Sequence, residues 1–354
     1  MTMPLPITHV ATSDITDMMH PAPGRRMDLP GFDEEFVDFP HYIIRITERI
    51  WHDREIDLCL KWYTPDCLIH TLGGDIVGAQ TVAENTRATL AVFNDRRLDA
   101  DNVIWSEDEP GTFYSSHLIT SKMTHTGPGE FGPATGKRVR VQTIADCLCR
   151  DNRIFREWLV RDNLGLVMQL GLDPDAVAAR QSAADGDRMF SLIDFHAGNR
   201  ARAQASHGSP RTDSPGIATA FAALSSLWQS RSAKHAEDIY DFRVAGAYPG
   251  AVSLYGPDDL CRWFEPLWAA FPDLSLSIDH VAEIGYLGDA RDVAVRWSAT
   301  GLHTGHGRYG APTGAPIFFM GVSQMRVMNG RVREDVCIWD DLAVRRQVAE
   351  ARRR

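Results

Sequence analysis

Clustered basic charge is what this sequence most conspicuously lacks. Its 354 residues hold 37 Lys and Arg against 47 Asp and Glu, a net charge of −10 at pH 7, and the short basic run Arg352–Arg354 stands alone. Phosphate recognition needs grouped cations, so a nucleic-acid partner is not expected. Long apolar runs are missing too: none approaches a membrane span, and the opening "MTMPLPITHVATSDITDMMHPAPGRR" has no apolar core of the secretory kind. A cytoplasmic protein that engages no membrane is the expectation. Cysteine is sparse. The six residues Cys59, Cys67, Cys147, Cys149, Cys261 and Cys337 form neither a dense disulfide framework nor a paired zinc spacing, and read as free buried thiols. No His/His/carboxylate spacing suggests a metal either, so neither a metal nor a cofactor is expected.

What is present is ordinary globular material, 44% hydrophobic and 24% charged, in a chain longer than one typical domain. Residues 1–35 have no periodicity and read as an arm, disordered or laid over a neighbouring domain. From Phe36, "FPHYIIRITERIWHDREIDLCLKWY" carries Ile43, Ile46 and Ile50 at helical spacing, then Leu58, Leu60 and Trp62 before Pro65. Two helices are expected there, with "GAQTVAENTRATLAVFND" as a third. Four strands follow, "RRLDADNVIW", "GTFYSSHLITSKMTH", "KRVRVQTIADCLC" and "RIFREWLVRD", joined closely enough to favour an antiparallel meander. The same order returns after a helical linker at 173–215. Domains at 36–172 and 216–354 are the expectation.

The return is a duplication. "HTGPGEFGPATGK" begins at His125 and "HTGHGRYGAPTGA" at His303, 178 positions later. At that constant shift Val77 to Leu164 align without a gap to Tyr255 to Leu342. Of these 88 pairs 17 are identical, seven of them between His125 and Gly136. Lys137 becomes Ala315, and the loop joins two strands, which argues against a phosphate cradle. Its glycines are explained by positive-φ positions and a sharp reversal. Asp162 and Asp340, shared at the strand-to-helix junction, read as helix caps.

Helices followed by a long twisted sheet that must bury one face give an α+β cone. The stretches "HTGPGEFGPATGKRVRVQTIADCLCRDNRIFREWLVRDNLGLVMQLG" and "FPDLSLSIDHVAEIGYLGDARDVAVRWSATGLHTGHGRYGAPTGAPIFFMGVSQMRVMNGRVREDVCIWDDL" resemble the SnoaL-like polyketide cyclase family of the nuclear-transport-factor-2-like superfamily. The resemblance implies two tandem cone-shaped α+β barrel domains, each with three N-terminal helices packed on a curved antiparallel sheet. It also implies a small-molecule pocket, on a fold that hosts many activities. Aldol-type cyclases of this family carry an acid/base Asp on the last strand and a Gln and a His on the strand before. Those positions fall on Leu159, Thr143 and Ala145 in the first copy, and on Cys337, Gly321 and Ser323 in the second. Neither copy keeps the cyclase set.

Alternation carries the register further, because residues two apart share a sheet face. If Leu159 and Cys337 face the pockets, so do Glu157 and Arg161, and Asp335 and Trp339. Each copy then points one carboxylate inward, where desolvation raises its pKa toward the range of a useful acid or base. The opposing reading makes both acids members of ion pairs at the sheet rim. His70, in the segment that rims the pocket in this family, and His117, in an apolar strand, complete the catalytic candidates. Trp62, Tyr63, Thr143 and Arg161 in the first copy, and Tyr248, Trp297, Ser323 and Trp339 in the second, are the candidate substrate-binding residues, core packing being the competing role of the aromatics. The resulting expectation is a cofactor-independent enzyme of isomerase or lyase type, acting by proton transfer on an apolar carbonyl substrate in isomerisation, dehydration or cyclisation. The alternative is a binding protein without turnover, its second domain a structural partner. An intrachain pseudo-dimer or a homo-oligomer is the expected assembly.

Overall fold

In a computed structural model that describes residues 15–194, 198 and 213–354, the two halves of the chain each build a six-stranded sheet. Residues 1–14 of the expected arm and, within the expected linker, residues 195–197 and 199–212 lie outside the described residues. The first sheet holds β1 (Tyr63–His70), β2 (Ile76–Val77), β3 (Arg97–Glu109), β4 (Thr112–Thr124), β5 (Arg138–Arg150) and β6 (Arg153–Arg161), in the order β2-β1-β6-β5-β4-β3. The second holds β7 (Tyr240–Tyr248), β8 (Val252–Tyr255), β9 (Ser275–Gly285), β10 (Arg291–Leu302), β11 (Pro316–Met328) and β12 (Arg331–Trp339), in the order β8-β7-β12-β11-β10-β9. The duplication read from the sequence is therefore a duplication of topology. Each half is an α+β domain.

The long strands β3–β6 and β9–β12 form antiparallel meanders. The sequence does not announce β1 and β7, which pair in parallel with β6 and β12 and make both sheets mixed. "YTPDCLIH" lacks clean alternation and contains Pro65, which reads as a helix stop. Accordingly the second expected helix shrinks to a short turn at Ile56–Leu58 and the four residues Cys59–Trp62. Elsewhere local signals hold. Asp38 caps the helix Phe39–Trp51 by accepting a 2.9 Å bond from the His41 amide, Pro40 sits in its first turn, and Ile43, Ile46 and Ile50 form its buried stripe. The helices Ala79–Val92 and Gly256–Ala270 occupy equivalent places in the two halves.

Period two splits each sheet between two environments. In the first half one face looks toward the helices, while Tyr114, Leu118, Ile144, Trp158 and Val160 on the other join a hydrophobic core shared with the second half. Strand β3 meets β9 and β6 meets β12, so equivalent strands face one another across the join. Polar contacts fix this packing. The Gln324 amide donates to the Ser116 carbonyl at 2.9 Å, Asn102 donates to Asp292 at 3.0 Å, and His280 lies 2.8 Å from Asp108. The Arg296 guanidinium stacks 3.4 Å from the Trp158 ring centre and 3.6 Å from Asp146. Tyr114 donates to the same Asp146, whose carboxyl is pushed up to about 6 by burial against the pull of Arg296. Asp162 and Asp340 cap the helices that follow them. Both also bond across the join: Asp162 accepts from the amides of Gly250 and Ala251, and Asp340 accepts from Asn163. Residues 15–35 lie over the first half, with Met18 buried and Phe32 edge-on to Tyr42.

Candidate functional site

Between the helices Phe39–Trp51 and Ala79–Val92 and the inward face of the first sheet lies a cavity of about 650 Å³. Its chemistry is set by alternation: β4 contributes His117 and Ile119, β5 contributes Thr143, Ala145 and Cys147, and β6 contributes Glu157, Leu159 and Arg161. His117 stands opposite Ala145, and Glu157 opposite Cys147. Tyr63 of β1 and Arg96, just before β3, add further polar groups, as do Asn85, Thr86 and Thr89 of the helix Ala79–Val92, and Ile43, Ile46, Ile50 and Ile69 supply apolar wall.

Glu157 is buried, and its Oε2 has no hydrogen-bond partner. Burial pushes its carboxyl up to about 7, while Arg161 and the Tyr63 hydroxyl hold it back from rising further. Near neutral pH the group can therefore both accept and release a proton. His117 is buried as well, and desolvation alone lowers it to about 3, so its imidazole is neutral, with Nε2 unpartnered. The Thr143 hydroxyl is another unpartnered polar atom on the same wall. A base poised near neutrality, a neutral imidazole and a hydroxyl, set among apolar side chains, are the components of proton transfer next to a carbonyl.

The second half fills the corresponding space. The shift of 178 sets Trp297 against Ile119, Gly321 against Thr143, Asp335 against Glu157 and Trp339 against Arg161. The Trp297 ring lies directly over Gly321, where a Cβ would come within 2.2 Å of it, and its Nε1 donates to Ser323 at 3.1 Å. Trp228 closes the space, its ring centre 4.3 Å from that of Trp297 and 5.3 Å from that of Trp339. Asp335 is held through one oxygen: Tyr248 and Tyr240 both donate to its Oδ2, at 2.6 and 3.2 Å, and its Oδ1 is buried without a partner. Burial raises its carboxyl to about 6.

Of the residues expected from the sequence to form a site, Glu157, His117, Tyr63, Thr143 and Arg161 come together around the cavity. Two neighbours do not. His70 follows the inward Ile69 and so points to the other face, stacked on Trp158 and 3.3 Å from Asp75. Trp62 is wholly buried in the core beside Phe36, with Arg49 over its ring. The second-copy candidates Tyr248, Trp297, Ser323, Trp339 and Asp335 are packed as core, because the three tryptophans consume the volume a ligand would take. Arg96 is a cavity residue that sequence reasoning missed. In "NDRRLDAD" it looks like one more exposed charge, yet it is 4% exposed.

The repeated loop has a structural explanation with a functional edge. In both copies the histidine Nδ1 lies 3.2 Å from the threonine hydroxyl ten residues on, and its ring centre lies 5.3 Å from that of a helix-end phenylalanine. A Cβ on Gly127 would fall 2.2 Å from the Ala91 carbonyl oxygen, and one on Gly305 1.8 Å from that of Ala269. Close approach to the preceding helix thus explains these two glycines, in addition to the positive φ of Gly132, Gly136, Gly310 and Gly314. In the first half the seated loop brings Pro128, Gly129, Glu130 and Phe131 to the cavity wall.

The family model described as SnoaL-like polyketide cyclase matches residues 41–170 and 218–348. The chain belongs to this family. Solved structures similar to it include IdmH of Streptomyces antibioticus, a candidate polyketide cyclase, at 20% identity over 37% of this chain and 97% of that one, TM-score 0.33. A candidate SnoaL-like polyketide cyclase of Jannaschia sp. CCS1 has 19% identity over 41% and 98% of the two chains, TM-score 0.34. AclR of Streptomyces galilaeus, a candidate hydroxylase, has 19% identity over 37% and 93%, TM-score 0.33. A search of curated proteins finds no match. Against the acid/base Asp described above for aldol-type SnoaL-like cyclases, this chain presents Leu159 on the cavity wall and Cys337 in the second core. Among the described residues no group of three or more His, Cys, Asp and Glu side chains is placed to hold a metal ion. No described helix is long and apolar enough to cross a membrane, a statement that does not concern β-barrels.

Proposed function

We propose that the first domain, taken as residues 36–172, is a cofactor-independent acid/base enzyme acting on an apolar carbonyl substrate. The observation that carries this reading is the Glu157 carboxyl, buried on the cavity wall with a free Oε2 and poised at about 7. Its carboxylate takes a proton from the carbon next to the carbonyl, and neutral His117 or the Thr143 hydroxyl donates a hydrogen bond to the oxygen on which charge develops. Return of the proton from Glu157 to another carbon gives isomerisation, and departure of a hydroxyl from the carbon beta to the carbonyl, as water protonated by Glu157, gives dehydration. Attack of the enolate carbon on a second carbonyl gives cyclisation. Placing the base on Glu157, two residues from the family's aspartate position, moves it along the strand on the same face. A carboxylate half-ionised at neutral pH serves as base and then as acid without help from a metal.

The second domain, taken as 216–354, is proposed to be the structural half of an intrachain pseudo-dimer. Its filled interior and the facing of β3 on β9 and β6 on β12 support this. The test is deuterium exchange. The protein is incubated in D₂O with a panel of apolar ketones and enones, and incorporation at carbon next to the carbonyl is read by mass spectrometry. Exchange that depends on protein and is lost in Glu157→Gln is the expected result. Exchange that survives Glu157→Gln contradicts the assignment of the base, and retention of a ketone without any exchange favours the binding protein.

A further inference from the structure

Arg96 and Arg161 both line the cavity, each within electrostatic reach of the other; burial, and to a lesser degree Arg161, depresses Arg96 to about 9. Neither is ion-paired with a carboxylate among the described residues. Arg96 spends one amino group on the Ser121 hydroxyl at 3.1 Å and lays its guanidinium 4.7 Å from the centre of the Trp51 ring, which leaves Nε buried and unpartnered. Nε of Arg161 is likewise buried without a partner. Two like charges lining one cavity repel, and unpaired buried donors each cost stability. Glu157 does not resolve the conflict, because its own carboxyl is only half ionised near neutral pH. An anion supplied from outside does.

We infer that Arg96 and Arg161 form an anion subsite, and that the cavity's ligand is an apolar molecule carrying a carboxylate or similar acidic group. The isoleucine wall suits the apolar body, and the two guanidiniums suit a fork-shaped anion. Ile43 and Ile46 on the opposite helix favour an organic anion over a free inorganic one. This substrate class deepens the proton-transfer reading and is tested separately from it, since Glu157 takes no part in the measurement.

The test uses two fluorescent probes with one ring system, anilinonaphthalene sulfonate and its uncharged counterpart phenylnaphthylamine, titrated into the full chain at neutral pH. The sulfonate is expected to bind one site per chain roughly tenfold or more tightly than the neutral probe, the scale of a charge-assisted contact. Arg96→Leu and Arg161→Leu should each abolish most of that preference while phenylnaphthylamine affinity stays unchanged. That retained affinity shows that the variants still fold around an intact cavity, and Arg96→Lys should keep part of the preference. Equal affinity for the two probes, or a preference that survives both leucine variants, overturns the subsite and leaves the proposal for Glu157 standing. Displacement of the sulfonate by equimolar inorganic phosphate overturns the organic-anion assignment.

Discussion

The two halves place a carboxylate at the same position of the same strand, Glu157 in one and Asp335 in the other, and then treat it in opposite ways. Each acid keeps one oxygen without a partner, but Glu157 faces a cavity of about 650 Å³, whereas Asp335 takes two tyrosine hydroxyls on its other oxygen under three packed tryptophans. The decisive difference lies on the strand beside the acids, on the same face. Thr143 in the first half is Gly321 in the second, and the missing side chain is what lets Trp297 lie flat on the strand. One half thus holds a packed core where the other holds a cavity, each with a buried carboxyl at the same position.

The comparison breaks most severely at Glu157. Glu157→Gln should lower any turnover by about 10²–10⁴-fold, the usual contribution of a positioned acid/base group, while Asp335→Asn should leave turnover near the wild-type value. Steady-state rates on a substrate found in the deuterium screen check both. In the second half the expected loss is of stability. Trp297→Ala should cost about 3–5 kcal/mol in chemical denaturation, the range for emptying a large core side chain, and Gly321→Thr should cost about 1–3 kcal/mol by overpacking. The reciprocal Thr143→Gly in the first half borders open space, so its cost should be limited to about 1 kcal/mol of backbone entropy.

The next effect is one of pH. Burial raises the Glu157 carboxyl from its ordinary 4.5 to about 7 in the folded chain, so between these limits the native state keeps a proton that the unfolded state has lost. Its neutral form thus supports the fold at low pH, and stability falls as pH rises through that window and levels off above it. Glu157→Gln should therefore be more stable than the wild type by roughly 1–3 kcal/mol at about pH 8 and indistinguishable from it at about pH 4. Urea midpoints at the two pH values measure this. Smallest is the join between the halves: Asn163→Ala, which removes the 2.6 Å bond to Asp340, should cost about 1 kcal/mol and leave turnover unchanged.

Much of this contrast can be read from the letters. Alternation along "RIFREWLVR" puts Glu157, Leu159 and Arg161 on one face, and the copy at a shift of 178 repeats that face as Asp335, Cys337 and Trp339. What escapes is information held between strands. A glycine within a strand often marks a close approach, but that Gly321 is approached by Trp297 depends on the neighbouring strand's register. Strand β1 escapes because its pairing with β6 is long-range and its own pattern is weak, so the letters do not tell which face His70 takes. Arg96 escapes because a charge in a turn looks solvated until the helix Phe39–Trp51 brings Trp51 over it.

The most direct measurement is the titration of Glu157 itself, followed by carboxyl carbon NMR on glutamate-labelled protein, with Glu157→Gln assigning the resonance. A midpoint near 7 is the predicted result. A midpoint near 4.5 would mean that Glu157 is an ordinary satisfied carboxylate, and the acid/base account of the first domain would fail.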